Sequence, residues 1–168
     1  MELSKTERII LINQYEILKN LEEDHAEYYD KLIEILEYGY EYFYSEIDRL
    51  SSVISLDESK FIIDLLSFYR NLERYKRENP ANEDIKKHYY AIFRGFDGNE
   101  EGGFYSFTKF VIEIDNLFAE QLQYSEETDG FNSHSRMIEK YRRIVEKWRE
   151  FGGKYIDSSE NLSAILDA

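Results

Sequence analysis

The chain has no cysteine, which removes disulfides, thiol catalysis and thiolate metal ligation together. It has one proline, at position 80, so little interrupts a helix before or after that point. No apolar run approaches the roughly 20 residues of a membrane span, and the amino terminus carries no apolar signal core. A cytoplasmic protein with no membrane contact is the expectation. Positive charge is scarce: 21 Lys and Arg stand against 35 Asp and Glu, leaving a formal charge of −14. Such a surface repels phosphate backbones, which argues against a nucleic-acid partner.

Aromatic residues, by contrast, are abundant, at 16% of 168 residues, and 15 of them are tyrosines. Tyrosine pairs an apolar ring with a polar tip and suits half-buried positions, grooves and subunit contacts. This number exceeds what the core edge of one monomer takes up, and it points to self-association or an aromatic-lined groove. The charge is also uneven. Acids dominate 16–48, relieved by Lys19 and Lys31, whereas 136–149 carries six cations against Glu139 and Glu146. The two regions could meet across a subunit interface or remain solvated faces.

Helix signals recur from end to end. Ser4 with Glu7 reads as a capping box opening a helix to about Leu21, and Ser55 with Glu58 opens another to about Arg77. Asp24 with Glu27 reads as a third start, closed by Gly39. Residues 40–44 suit either helix or extended chain, and a break followed by a short helix is expected. A helix over 82–90 follows Pro80. Asp97 and Glu100 then cap a long helix carrying Phe107, Phe110, Val111, Ile114, Leu117 and Phe118 at helical spacing, with Gly102 and Gly103 marking a late start or close packing. The loop 124–132 is turn-like. Met137, Ile138, Tyr141, Ile144, Val145 and Trp148 form one stripe on the next helix, and Ser158 or Ser159 caps a short last one. No run alternates at period two. The fold expected is all-α, a single domain over 1–168 of roughly six to eight helices in up-down and irregular packing.

Residues 93–107 hold Gly95, Gly98, Gly102 and Gly103 among aromatics and acids, making either a structural corner or the wall of a site. The stretch lacks the lysine and preceding strand of a phosphate cradle. Glu22 and His25 have the Glu-x-x-His spacing of carboxylate-bridged metal helices, but the second copy is missing, and no metal or other cofactor is expected. No nucleophile elbow is present. On the first helix, Gln14 projects into the middle of the apolar arc of Ile10, Leu11, Tyr15, Ile17, Leu18 and Leu21. An amide there is either a satisfied structural hydrogen bond or a ligand contact.

Arg8, Asn13-Gln14-Tyr15, Gly39-Tyr40, Gly95-Phe96-Asp97, Gly130-Phe131-Asn132, Met137, Lys140-Tyr141 and Trp148 run in the order of the YfbU family, which the chain resembles along nearly its whole length. The resemblance implies a small, mostly helical bacterial protein of unassigned function. Some members carry the domain beside a helix-turn-helix module, which suggests ligand sensing or regulation; none is expected within these 168 residues, which argues against regulation of transcription in cis. The resemblance brings no catalytic residues.

The functional expectation is a homo-oligomeric binding or regulatory domain acting through a small ligand or a protein partner. Its candidate site gathers Asn13, Gln14 and Tyr15 with the turns Gly95, Phe96, Asp97 and Gly130, Phe131, Asn132. The competing structural reading makes both turns the approach to helices, with the phenylalanines as anchors and Asp97 or Asn132 as caps. An enzyme using acids and tyrosines in an aromatic cleft is the alternative function.

Overall fold

The computed structural model describes residues 2–47 and 53–168. Among them are eight α-helices and no strand, so the fold is all-α as expected; one isolated parallel bridge joins Phe96 and Asn132. The chain divides into two compact units, Met1–Ser51 and Ser52–Ala168.

In the first unit, α1 (Lys5–Leu21) opens with the expected capping box: the Glu7 amide donates to Ser4 Oγ at 3.3 Å and the Ser4 amide to Glu7 Oε2 at 2.8 Å. A 3-10 turn, Glu23–His25, leads into α2 (Ala26–Tyr38). The cap expected from Asp24 does not form, because that turn carries the chain one residue too far and puts His25 at the cap position without a side-chain bond. Gly39 ends α2 at φ 68°, a left-handed conformation that glycine adopts without cost. Arg8 Nη1 donates to Leu36 O at 3.0 Å and ties α1 to the last turn of α2. A 3-10 turn, Glu41–Phe43, and α3 (Tyr44–Ile47) follow, matching the break and short helix expected there.

Leu32, Ile35, Leu36, Tyr44 and Ile47 form the core of this unit, and Leu11, Ile12 and Tyr15 of α1 pack on it. No residue of α1 is fully buried. The apolar arc read from the sequence is split lengthwise: Leu11, Tyr15 and Leu18 are half-buried, while Ile10, Gln14, Ile17 and Leu21 face solvent. Gln14 is therefore not a polar group inside a core. Periodicity locates the apolar side of a helix, but the partner helix covers only one flank of it.

The second unit is built on α4 (Leu56–Glu78), whose Ile62, Leu65, Leu66, Phe68, Tyr69 and Leu72 are buried. Then come α5 (Glu83–Lys87), α6 (Gly102–Lys109), α7 (Ile138–Glu150) and α8 (Ser159–Asp167). The helix expected over 82–90 stops at Lys87, because His88 is extended (ψ 132°), and the chain resumes as a 3-10 turn. The long helix expected from Asp97 is also shorter. It begins at Gly102, ends at Lys109 and passes into a π-helical turn, Phe110–Ile114. The wider turn rotates the side chains that follow. Val111, Ile112 and Phe118 stay buried, whereas Phe110, Ile114 and Leu117 come out to solvent. On α7 the expected stripe is largely realised: Tyr141, Ile144, Val145 and Trp148 are buried, as is Met137 just before the helix, and Ile138 is half-buried. Among the described residues no helix is long and apolar enough to cross a membrane.

The α4 capping box has a measurable signature. Hydrogen bonds from the Ser55 hydroxyl and amide hold the Glu58 carboxyl below its ordinary value. A depressed folded-state pKa means that this carboxylate stabilises the fold above its unfolded value of about 4.3, and the contribution is lost as pH falls through the folded value. In a carboxyl-carbon NMR titration Glu58 is expected to titrate below an ordinary glutamate, and Ser55→Ala, which removes the hydroxyl but keeps the amide, to move it part of the way back. An ordinary titration in the unmodified chain would contradict the capping role.

Candidate functional site

The two Gly-Phe turns of the second unit lie against each other. The Phe96 amide donates to Phe131 O, and the Ser133 amide to Phe96 O, each at 3.1 Å. Asn132 Oδ1 accepts from the Gly98 amide at 3.1 Å and from the His134 amide at 3.2 Å. Asp129, Gly130 and Phe131 take φ of 48°, 65° and 66°, a left-handed run that bends the backbone into Gly95. For Phe131 this conformation costs about 1–2 kcal/mol, and burial of its ring offsets it. Phe93, Phe96 and Phe131 are wholly buried, with Phe93 centred 6.0 Å from Phe131 and 5.9 Å from Phe96. Tyr141 from α7 closes the cluster 5.3 Å from Phe96, and its hydroxyl accepts from the Arg94 amide at 3.0 Å. Burial pushes the phenols of Tyr69 and Tyr141 well above their usual range, so both are neutral packing groups.

Asp97 and Glu101 complete the corner. Asp97 Oδ1 accepts from the amides of Asn99 at 2.8 Å and Glu100 at 3.2 Å, closing a turn rather than starting the long helix expected there. Glu101 is buried and reaches two elements. Its Oε2 accepts from the Asp97 amide at 3.1 Å, and its Oε1 accepts from Met137 and Ile138 at 2.8 and 2.9 Å. The first amides of α7, which no local side chain caps, are thus satisfied from the far side of the corner. Asn132, considered as a cap from the sequence, instead holds the two turns together.

Beside this corner is an open cleft of about 220 Å³. Ile54, Phe104 and Ile138 give it an apolar lining, and Glu58, Glu100 and Glu101 give it acids. Gly102 and Gly103 border it, and nothing lies within 4 Å of where a Cβ on either would sit. These glycines keep the cleft open and do not serve a close contact. The three acids are already engaged: Glu58 in its capping box, Glu100 with Arg136, and Glu101 with its three amides.

Asn13, Gln14 and Tyr15 belong to the first unit. Asn13 and Gln14 are exposed on α1, and Tyr15 is half-buried and stacked on Tyr29 at 6.0 Å. The basic stretch 136–149 is engaged within its own unit: Arg136 pairs with Glu100 and Arg149 with Asp64, while Lys140 and Arg143 donate to Leu166 O and Ala168 O.

The model of the YfbU domain matches residues 1–168. The chain is also 44% identical over 169 residues to the UPF0304 protein MJECS11 of Methanocaldococcus jannaschii, covering 99% of each. The chain belongs to the YfbU family. Membership extends across both compact units, so the hairpin of α1 and α2 is as much part of the family domain as the aromatic corner.

One cluster escaped the sequence reading. Glu73 is buried on α4 and accepts from Tyr124 Oη at 2.9 and 3.0 Å and from Lys76 Nζ at 2.5 Å; Lys76 Nζ also donates to Tyr124 Oη at 3.1 Å. Glu73 and Lys76 are three apart on one helix, a common surface pairing, and nothing local marks a tyrosine 51 residues downstream as their third member.

Proposed function

We propose that this member of the YfbU family is a cytoplasmic binding or regulatory domain that acts by contact with protein and works as a homo-oligomer. The observation that carries this reading is the exposure of large apolar side chains on the first unit. Ile9, Ile10, Ile17 and Leu21 of α1, with Tyr38 at the end of α2 and Tyr40, Tyr42 and Phe43 after it, are exposed on a unit of 51 residues. Exposed large apolar side chains in that number on so small a unit mark contact sites more often than chance exposure. The cleft beside the corner of the second unit offers at most a small ligand site.

The enzyme alternative draws on one observation, the carboxylate and tyrosine at Glu73 and Tyr124. Burial first, and then the Glu73 charge, raise the Tyr124 phenol far above its usual value, so its proton stays in place. With Lys76 bonded to both, the three groups satisfy one another and leave no base free for substrate.

Sedimentation velocity of the full chain from about 1 to several hundred µM tests the reading. The expected result is a species heavier than the 20.2 kDa monomer, its share rising with concentration. A monomer at every concentration would remove the oligomer.

A further inference from the structure

The exposed face of α1 has a specific pattern. Ile10, Gln14, Ile17 and Leu21 follow one another at intervals of four, three and four, the spacing of a coiled-coil seam with Gln14 at one of its inward positions. Ile10, Ile17 and Leu21 are 53%, 60% and 74% exposed, although they are the most apolar residues on that side. The seam lies away from α2, against which Leu11, Ile12 and Tyr15 pack.

Charge on α1 is sorted in the same way. At 100° per residue, Lys5, Arg8, Glu16 and Lys19 fall on the opposite side of the helix. The seam is flanked by Thr6, Asn13 and Asn20 on one edge and by Leu11 and Leu18 on the other. Its one acid is Glu7, at the amino end, hydrogen-bonded back to Ser4 in the capping box. In a chain of formal charge −14, an uncharged face over residues 10–21 suits a partner with the same charge, which would be repelled elsewhere.

We infer that this face takes a second copy of the same chain, with the two α1 helices packed parallel and in register. The inference rests on the homo-oligomer reading above and names its contact. Parallel register places Gln14 opposite its own counterpart, where the two amides can each donate and accept. An antiparallel pair centred on the same four residues places Gln14 against Ile17 and leaves the amide buried without a partner, at a cost of about 1–3 kcal/mol. A single polar residue at such a position fixes register at some expense of affinity. The length of α1, 17 residues or about 25 Å, gives a contact below the roughly 800 Å² per partner of a standard interface, so the dimer is weak and concentration-dependent.

The absence of cysteine makes the test direct. In the full chain, Gln14→Cys is expected to form a disulfide-linked dimer under mild oxidation, since facing seam positions fall within bridging distance. Glu16→Cys, on the charged side, is expected to stay monomeric on a denaturing gel. Ile17→Asp, with unchanged circular dichroism, is expected to weaken association at least about tenfold in sedimentation velocity. An unmodified chain that associates while Ile17→Asp changes nothing would overturn the α1 seam and leave the oligomer reading standing. Loss of association with Ile17→Asp but no cross-link at position 14 would overturn the parallel register. A monomeric unmodified chain would overturn both readings.

Discussion

Gly95→Ala is expected to destabilise the second unit by about 3 kcal/mol or more, enough to deplete soluble protein or shift its urea midpoint sharply down. A Cβ at this position would stand 1.7 Å from Phe131 O and 2.2 Å from its carbonyl carbon, and Gly95 holds φ of 83°. Both obstacles are backbone, and no rotamer change relieves them. The carbonyl concerned is the one that accepts from the Phe96 amide, so moving it breaks the pairing of the two turns. Gly98→Ala is the matched comparison. Its Cβ would meet only the Asn132 side chain, at an ordinary 3.5 Å, and a change within about 1 kcal/mol is expected. If the two variants unfold at the same urea concentration, the close approach at Gly95 is not what holds the corner.

Replacing Glu101 by alanine is expected to cost about 3–5 kcal/mol, again read as a urea midpoint with an unchanged slope. The loss exceeds that of an ordinary cap because three amides on two elements lose their acceptor together: Asp97 in the turn, and Met137 and Ile138 at the head of α7. Glu101→Gln keeps the shape but turns an amide group towards one of those donors, and it is expected to lose roughly half as much. Hydrogen exchange adds localisation: the first turn of α7 is expected to lose protection in Glu101→Ala while α8 keeps its own. Equal loss across the unit, with no preference for α7, would argue against the capping role.

The contrast between these two positions shows what could be read from the residues alone. The capping boxes at Ser4 and Ser55 were legible because donor and acceptor lie three residues apart, and Gly39 was legible because a helix end often asks for a left-handed residue. The glycine-rich corner was legible as a corner. Its partner was not, since the Gly98–Asn132 bond spans 34 residues and leaves no periodic trace. Glu101 was hidden for the same reason: its partners at Met137 and Ile138 lie 36 and 37 residues away. On α1 the apolar arc was correct in composition, but which of its flanks the hairpin covers is decided by packing against α2. Gln14, expected among buried neighbours, is instead in the middle of an open face. The long helix after Asp97 failed at Phe110, where the spacing continues but the backbone widens into a π-turn.

The bridge between Phe96 and Asn132 also bears on how the second unit folds. Its hydrogen bonds close a loop containing α6, the π-turn and a 3-10 segment, Ala119–Tyr124, that precedes the left-handed run. Closing a loop of that length costs chain entropy before any ring is buried, with nothing repaid until Phe96 and Phe131 reach the same cluster. Helices α4 and α7 gain their own hydrogen bonds locally and have no need to wait for that event. The aromatic corner therefore depends on a long-range closure that the hydrogen bonds within α4 and α7 do not require.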